Sequence, residues 1–147
     1  MSEPRATIGR MPDPARASRH LSVVVAAPAA AVYDLAVDPA RLPEWAAGLA
    51  STPLHHDGDD WYAEAPFGRV HVRFAARNEL GVLDHVVTMP DGQQVLNAMR
   101  VIPWGDDASE VVFTVRHRAD QTDEQFTADA DAVAADLATL KKLVERG

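Results

Sequence analysis

The chain contains no cysteine, which removes disulfides, thiolate zinc sites and cysteine nucleophiles at once and makes a cytoplasmic setting the natural expectation. Basic residues are in the minority. Fourteen Lys and Arg stand against 22 Asp and Glu, for a formal net charge of -8. A surface of that sign repels a phosphate backbone, so nucleic acid is not expected as a partner. Long apolar runs are missing too. The longest, over 23–37, is broken by Pro28, so neither a signal-peptide core nor stable membrane insertion is expected. The chain has no nucleophile elbow and no phosphate cradle, the GVLDH stretch at 81–85 being far from glycine-rich. His55 and His56 are adjacent on a predicted strand and point to opposite faces, with no acid or histidine at ligand spacing. No metal and no cofactor are therefore expected.

What is present suits one compact unit: 147 residues, 47% of them hydrophobic and 24% charged. A chain of this size buries roughly two thirds of its unfolded surface, enough for a core with a cavity in it. Residues 1–17 carry Pro4, Pro12 and Pro14 with no apolar periodicity and read as a flexible, solvated arm. Residues 18–147 form the domain.

The strongest signal is C-terminal. Phe126, Ala130, Val133, Leu137, Leu140 and Val144 recur at alternating steps of four and three, drawing an apolar stripe along one helix. Thr122 and Gln125 have capping-box spacing, and Lys141, Lys142 and Arg146 lie where the helix dipole favours cations. At about 25 residues and 1.5 Å rise it reaches on the order of 37 Å, long enough to cross a sheet. Upstream, the apolar stretch at 20–26 predicts a first strand, and Pro28 and then Asp38-Pro39 open two short helices, the second running through Leu42, Trp45 and Leu49, with Gly48 helping to end it. From there the chain alternates, with strands expected near 52–56, 61–65, 69–77, 82–89, 94–102 and 110–118, joined by short turn-forming links.

This order, the segment VVVAAPAAAVYDLAVDPARLPEWAAG, the PFGRVHVRFAARNELGVLDH hairpin and the amphipathic C-terminal helix together resemble the START-like superfamily, also called SRPBCC, especially its polyketide cyclase/dehydrase branch. The resemblance spans nearly everything from Ser18 to Arg146. It implies an α+β helix-grip fold, in which a seven-stranded antiparallel sheet wraps around the C-terminal helix and two short helices close a hydrophobic pocket. Members of the superfamily range from lipid carriers and hormone sensors to aromatic cyclases, with no shared catalytic motif.

Strand alternation separates the two faces of the sheet. With Glu79-Leu80 at a tight tip, Phe74 falls opposite His85 and Val72 opposite Val87. The inner face then reads Val70, Val72, Phe74, Leu83, His85 and Val87, continuing through Asn97, Met99, Phe113 and His117. Candidate ligand-binding residues are Trp45, Phe74, His85, Asn97, Met99, Phe113 and His117. His85 and Asn97 become cross-strand neighbours, a pair able to orient a ligand carbonyl or hydroxyl, and His85 is the candidate catalytic acid or base. A buried histidine bonded to an amide is more often just a satisfied core group. Trp61 has the bulk for a pocket mouth or for the core. Arg73, Asp84 and Arg100 fall outside, where opposite charges on adjacent strands are ordinary surface pairs.

Two functions remain. The first is a module that shelters a hydrophobic or aromatic small molecule between sheet and helix. The alternative is a cyclase/dehydratase-type enzyme in which His85 moves a proton beside a carbonyl, with Asn97, Tyr33 or Tyr62 as donor to the developing oxyanion. The first is favoured because the inner face offers only one well-placed titratable group. A homodimer along an exposed strand or the arm is left open, with no residue singling it out.

Overall fold

In the computed structural model, which describes residues 17–46, 54–58, 60–65 and 67–147, the first strand β1 spans Ser18–Val25. Its chain turns at Pro28, whose φ of -59° and missing N–H suit the residue before a helix, and α1 follows directly over Ala29–Ala36. Asp38 caps the next element. Its carboxylate accepts from the Ala40 N–H at 3.0 Å to start a 3-10 turn at Pro39–Arg41, which runs into α2 over Leu42–Trp45. The expected extension of that helix to Gly48 and Leu49, the start of the strand expected near 52, and the arm up to residue 16 lie outside the described residues.

Six further strands follow: β2 (His55–Asp57), β3 (Asp60–Ala65), β4 (Gly68–Phe74), β5 (His85–Thr88), β6 (Gln94–Trp104) and β7 (Ala108–Arg116). The chain ends in α3, Asp123–Arg146. All neighbours pair antiparallel, in the order β1-β7-β6-β5-β4-β3-β2. The expected α+β architecture, one seven-stranded antiparallel sheet gripping a long C-terminal helix, is therefore the fold of the chain.

The helix is placed by its own sequence. Thr122 Oγ1 accepts from the Gln125 N–H at 3.1 Å while Gln125 Oε1 accepts from the Thr122 N–H at 2.9 Å, a complete capping box. Of the stripe, Phe126, Ala130, Leu137, Leu140 and Val144 are buried, each large member contributing roughly 2 kcal/mol. At the far end Lys141 Nζ donates to the Val24 carbonyl at 2.9 Å, and Glu145 accepts from the Ala26 N–H at 2.8 Å. These bonds tie the helix end to the first strand, which is an edge of the sheet.

Register matters most at the centre. Phe74 lies opposite His85, Val72 opposite Val87 and His85 opposite Asn97, as alternation predicts. The link between β4 and β5 is nevertheless wider than the expected tight hairpin. Both strands end earlier, and residues 75–84 form a loop organised by Asn78. Its amide donates to the Ala76 and Val82 carbonyls, and its oxygen accepts from the Leu80 and Val82 N–H groups, all between 2.9 and 3.0 Å. The far side of that loop stays on β6, with the Leu83 N–H donating to the Met99 carbonyl and the Val101 N–H to the Gly81 carbonyl, both at 2.9 Å. Because β6 holds the chain, the register survives the wider loop.

The outer-face charges pair as expected in one case and differently in the other. Arg100 reaches Asp84 at 2.8 Å, whereas Arg73 pairs with Asp60 across the β3–β4 hairpin at 2.6 Å rather than with Asp84. The β3–β4 register, which pairs Trp61 with Val72, sets Asp60 opposite Arg73, while Asp84 is already occupied by Arg100 and the Met99 N–H.

Candidate functional site

A helix laid across a curved sheet cannot fill the whole concavity, and here it leaves a cavity of about 610 Å³. The floor is the inner face of β4 to β7, with Val70, His85, Val87, Val95, Asn97, Phe113 and Val115. The roof is the middle of α3, with Asp129, Ala132, Val133, Asp136 and Leu137, and Trp45 of α2 closes one side. Phe67, which is 63% exposed, and Gln93 mark where the turns before β4 and β6 bring the cavity to solvent.

His85 is the central polar group. It is buried, and its Nδ1 lies 3.0 Å from the Leu83 carbonyl. A carbonyl only accepts, so Nδ1 carries the proton and donates. Nε2 then holds a lone pair, toward which the Asn97 amide nitrogen points from 3.4 Å, a long contact. Phe74 lies on one side of the ring with centroids 4.9 Å apart, and Phe113 stands edge-on at 5.9 Å. Burial pushes the imidazole below its ordinary 6.5, outweighing the opposing pull of the Leu83 carbonyl and the Asp84 charge. The ring is therefore neutral at pH 7. Asp84, one residue away on the outer face, is held below the usual carboxylate range, first by its hydrogen bond from Arg100.

Of the candidate residues, the structure brings Trp45, His85, Asn97 and Phe113 together around the cavity. Phe74, Met99 and His117 stand elsewhere. Phe74 packs behind the His85 ring, and Met99 is fully buried in the core beside Leu83 and Val101. His117 sits at the corner between β7 and α3, where it stacks on Phe126 at 4.7 Å and its Nε2 lies 3.0 Å from the Gln121 carbonyl. Inward alternation is not sufficient for reaching the cavity, because parts of the inner face are already covered by helices. Neither tyrosine lines the cavity. Tyr33 Oη accepts from the Asn78 N–H at 3.1 Å, and Tyr62 lies between His55 and His71 under the Arg69 guanidinium. Trp61 is half-buried and stacks on His56.

The α3 residues that roof the cavity were missed as site residues, although Val133 belongs to the stripe. Asp129 and Asp136, four residues before it and three after, lie on the same flank of the helix and were legible from that spacing. Arg118 was missed as well. It lines the cavity, with its Nη1 3.8 Å from an Asp129 carboxylate oxygen and its Nε, buried without a hydrogen bond, 3.6 Å from Asp120. Trp45 Nε1 is likewise buried and unbonded. No helix among the described residues is long and apolar enough to cross a membrane.

Several solved structures share this architecture. A conserved protein from Geobacillus kaustophilus is 11% identical, with 88% of this chain and 96% of that one covered at a TM-score of 0.69. The Zhui aromatase/cyclase of a Streptomyces species is 15% identical, with 89% and 94% covered and a TM-score of 0.65. Norcoclaurine synthase from Thalictrum flavum, solved with dopamine and hydroxybenzaldehyde, is 18% identical, with 88% and 86% covered and a TM-score of 0.58. At these identities the likeness is one of fold. No curated protein matches the sequence. The family described as polyketide cyclase / dehydrase and lipid transport matches residues 16–147, and it is to this family that the chain belongs.

Proposed function

We propose that the protein binds a hydrophobic or aromatic small molecule in the cavity between its sheet and α3. The observation that carries this reading is the cavity itself: about 610 Å³, with Val, Leu, Phe, Trp, Met and Ala making up twelve of its twenty lining residues and the His85–Asn97 pair set among them. Apolar bulk with fixed polar groups set into it is how small-molecule sites obtain affinity and orientation. The solved relatives whose names mention small-molecule chemistry, an aromatase/cyclase and norcoclaurine synthase, lend support by sharing the fold. The test is a panel of fused-ring aromatics and fatty acids followed by melting temperature. A compound present at about 100 times its dissociation constant adds about 2.7 kcal/mol. A panel that shifts nothing overturns the reading.

A second reading draws on one specific feature, the neutral His85 with its Nε2 lone pair at the cavity. Such a nitrogen can take a proton from carbon beside a carbonyl, with the Asn97 amide donating to the oxygen that gains charge. Cyclisation or dehydration of a carbonyl substrate is then the reaction class. Turnover that collapses in His85→Ala while binding persists favours this reading; binding without turnover of any carbonyl compound removes it.

A further inference from the structure

The pocket reading leaves open what the polar pair selects, and the inference that follows rests on that reading. The Leu83 carbonyl fixes the proton of His85 on Nδ1, because the 3.0 Å contact has no other donor. The Asn97 amide nitrogen at 3.4 Å agrees with that assignment, since it can only donate, and so needs a lone pair on Nε2. The ring has no easy alternative. A half-turn would set carbon against the Leu83 carbonyl, and Phe74 and Phe113 flank the imidazole at 4.9 and 5.9 Å. Burial further disfavours the doubly protonated ring.

We propose that the His85–Asn97 pair is a hydrogen-bond polarity filter, which selects a phenolic or enolic hydroxyl on the bound molecule over a carbonyl or an ether oxygen at the same point. A hydroxyl satisfies both partners: its O–H donates to His85 Nε2 and its oxygen accepts from Asn97 Nδ2, replacing one long contact with two good ones. A carbonyl or ether oxygen accepts from an Asn97 N–H alone, gains no bond with Nε2 and meets that nitrogen lone pair to lone pair. The surrounding Trp45, Phe113, Val87 and Leu137 favour a flat ring as the carrier of that hydroxyl. A phenol is also the stronger donor compared with an aliphatic alcohol.

The experiment compares β-naphthol with its methyl ether and the matching methyl ketone on the wild-type protein by calorimetric titration. The expected result is β-naphthol binding on the order of tenfold more tightly than either analogue. In His85→Leu that preference is expected to vanish while the ether binds as before. Equal binding of all three, or preference for the ketone, overturns the filter and leaves the pocket standing. Failure of all three to bind overturns the filter, and the pocket reading falls with it only when the wider panel of aromatics and fatty acids also shifts nothing. Should His85→Leu not fold, long-range proton–nitrogen spectra of wild-type imidazoles decide independently of any ligand: His85 is expected with its proton on Nδ1, and a proton on Nε2 overturns the proposal.

Discussion

The ring of His85 meets the ring of Phe113 edge-on, with centroids 5.9 Å apart and planes at 64°. An imidazole packed against that ring and only 5% exposed is screened from water. The folded state therefore disfavours the protonated ring, whereas the unfolded chain protonates it freely near 6.5.

The first prediction follows from the sign of that shift. Between the depressed folded value and 6.5 the unfolded state binds more protons, so stability falls as pH drops below about 6.5 and is unaffected by this group above it. The slope from one such group is at most about 1.4 kcal/mol per pH unit. Denaturant titrations between pH 7 and pH 5 on wild type and His85→Leu measure it. The variant should lose this part of the slope; an unchanged slope contradicts the buried, neutral ring. Asp84 acts in a separate window. Its carboxylate is held below 3.8 by Arg100, so what it contributes is present above that value and is lost only at lower pH.

Much of this arrangement is written locally and could be read in advance. The capping box needs only Thr122 and Gln125 three residues apart, and the α3 stripe needs only its own spacing. Facing positions across β4, β5 and β6 follow from a period of two once a loop length is assumed. What alternation does not contain is the third dimension. Met99 and Phe113 are both inner-face residues on paired strands and lie opposite one another, yet one is sealed in the core and the other lines the cavity. The difference is set by what the helices cover. The Asn78 loop was equally hidden, because a side chain that satisfies four backbone groups looks like any other turn asparagine in sequence.

A second prediction concerns the loop that follows Asn78. Gly81 has φ of +76°, and a Cβ there would stand 2.1 Å from the Val101 carbonyl oxygen, which is backbone and cannot swing aside. Gly105 has a similar φ of +72° with open space around it. Gly105→Ala should therefore cost about 1 kcal/mol, the backbone penalty alone. Gly81→Ala should cost more than about 2 kcal/mol, because the loop must leave β6. Urea unfolding of the two variants in parallel gives the comparison, and equal losses would show that the close approach is absent.

The third prediction tests how α3 is held. Thr122→Ala removes the acceptor for the Gln125 N–H and one half of the capping box. A loss of about 1 kcal/mol is expected, with hydrogen exchange accelerating in the first turn of α3 before anywhere else in the helix. Thr122→Ser should restore protection, since the hydroxyl is all the cap requires. Failure of serine to do so would mean that the threonine methyl, not its oxygen, fixes the start of the helix.

The last prediction separates the cavity from the core along a single helix. Leu140 is fully buried and is not part of the cavity wall, so Leu140→Ala opens a void in a packed region and should cost roughly 2–5 kcal/mol. Val133, two turns earlier, is half-buried and faces the cavity, where extra bulk meets empty space rather than packed atoms. Val133→Phe should therefore change stability by less than about 1 kcal/mol, because overpacking is costly only where space is already filled. It should nevertheless abolish the melting-temperature shift produced by any compound that the wild-type protein binds. If Val133→Phe binds such a compound as well as wild type does, the guest lies somewhere other than beneath α3. If it unfolds the protein as severely as Leu140→Ala, the space beneath Val133 is core and not cavity.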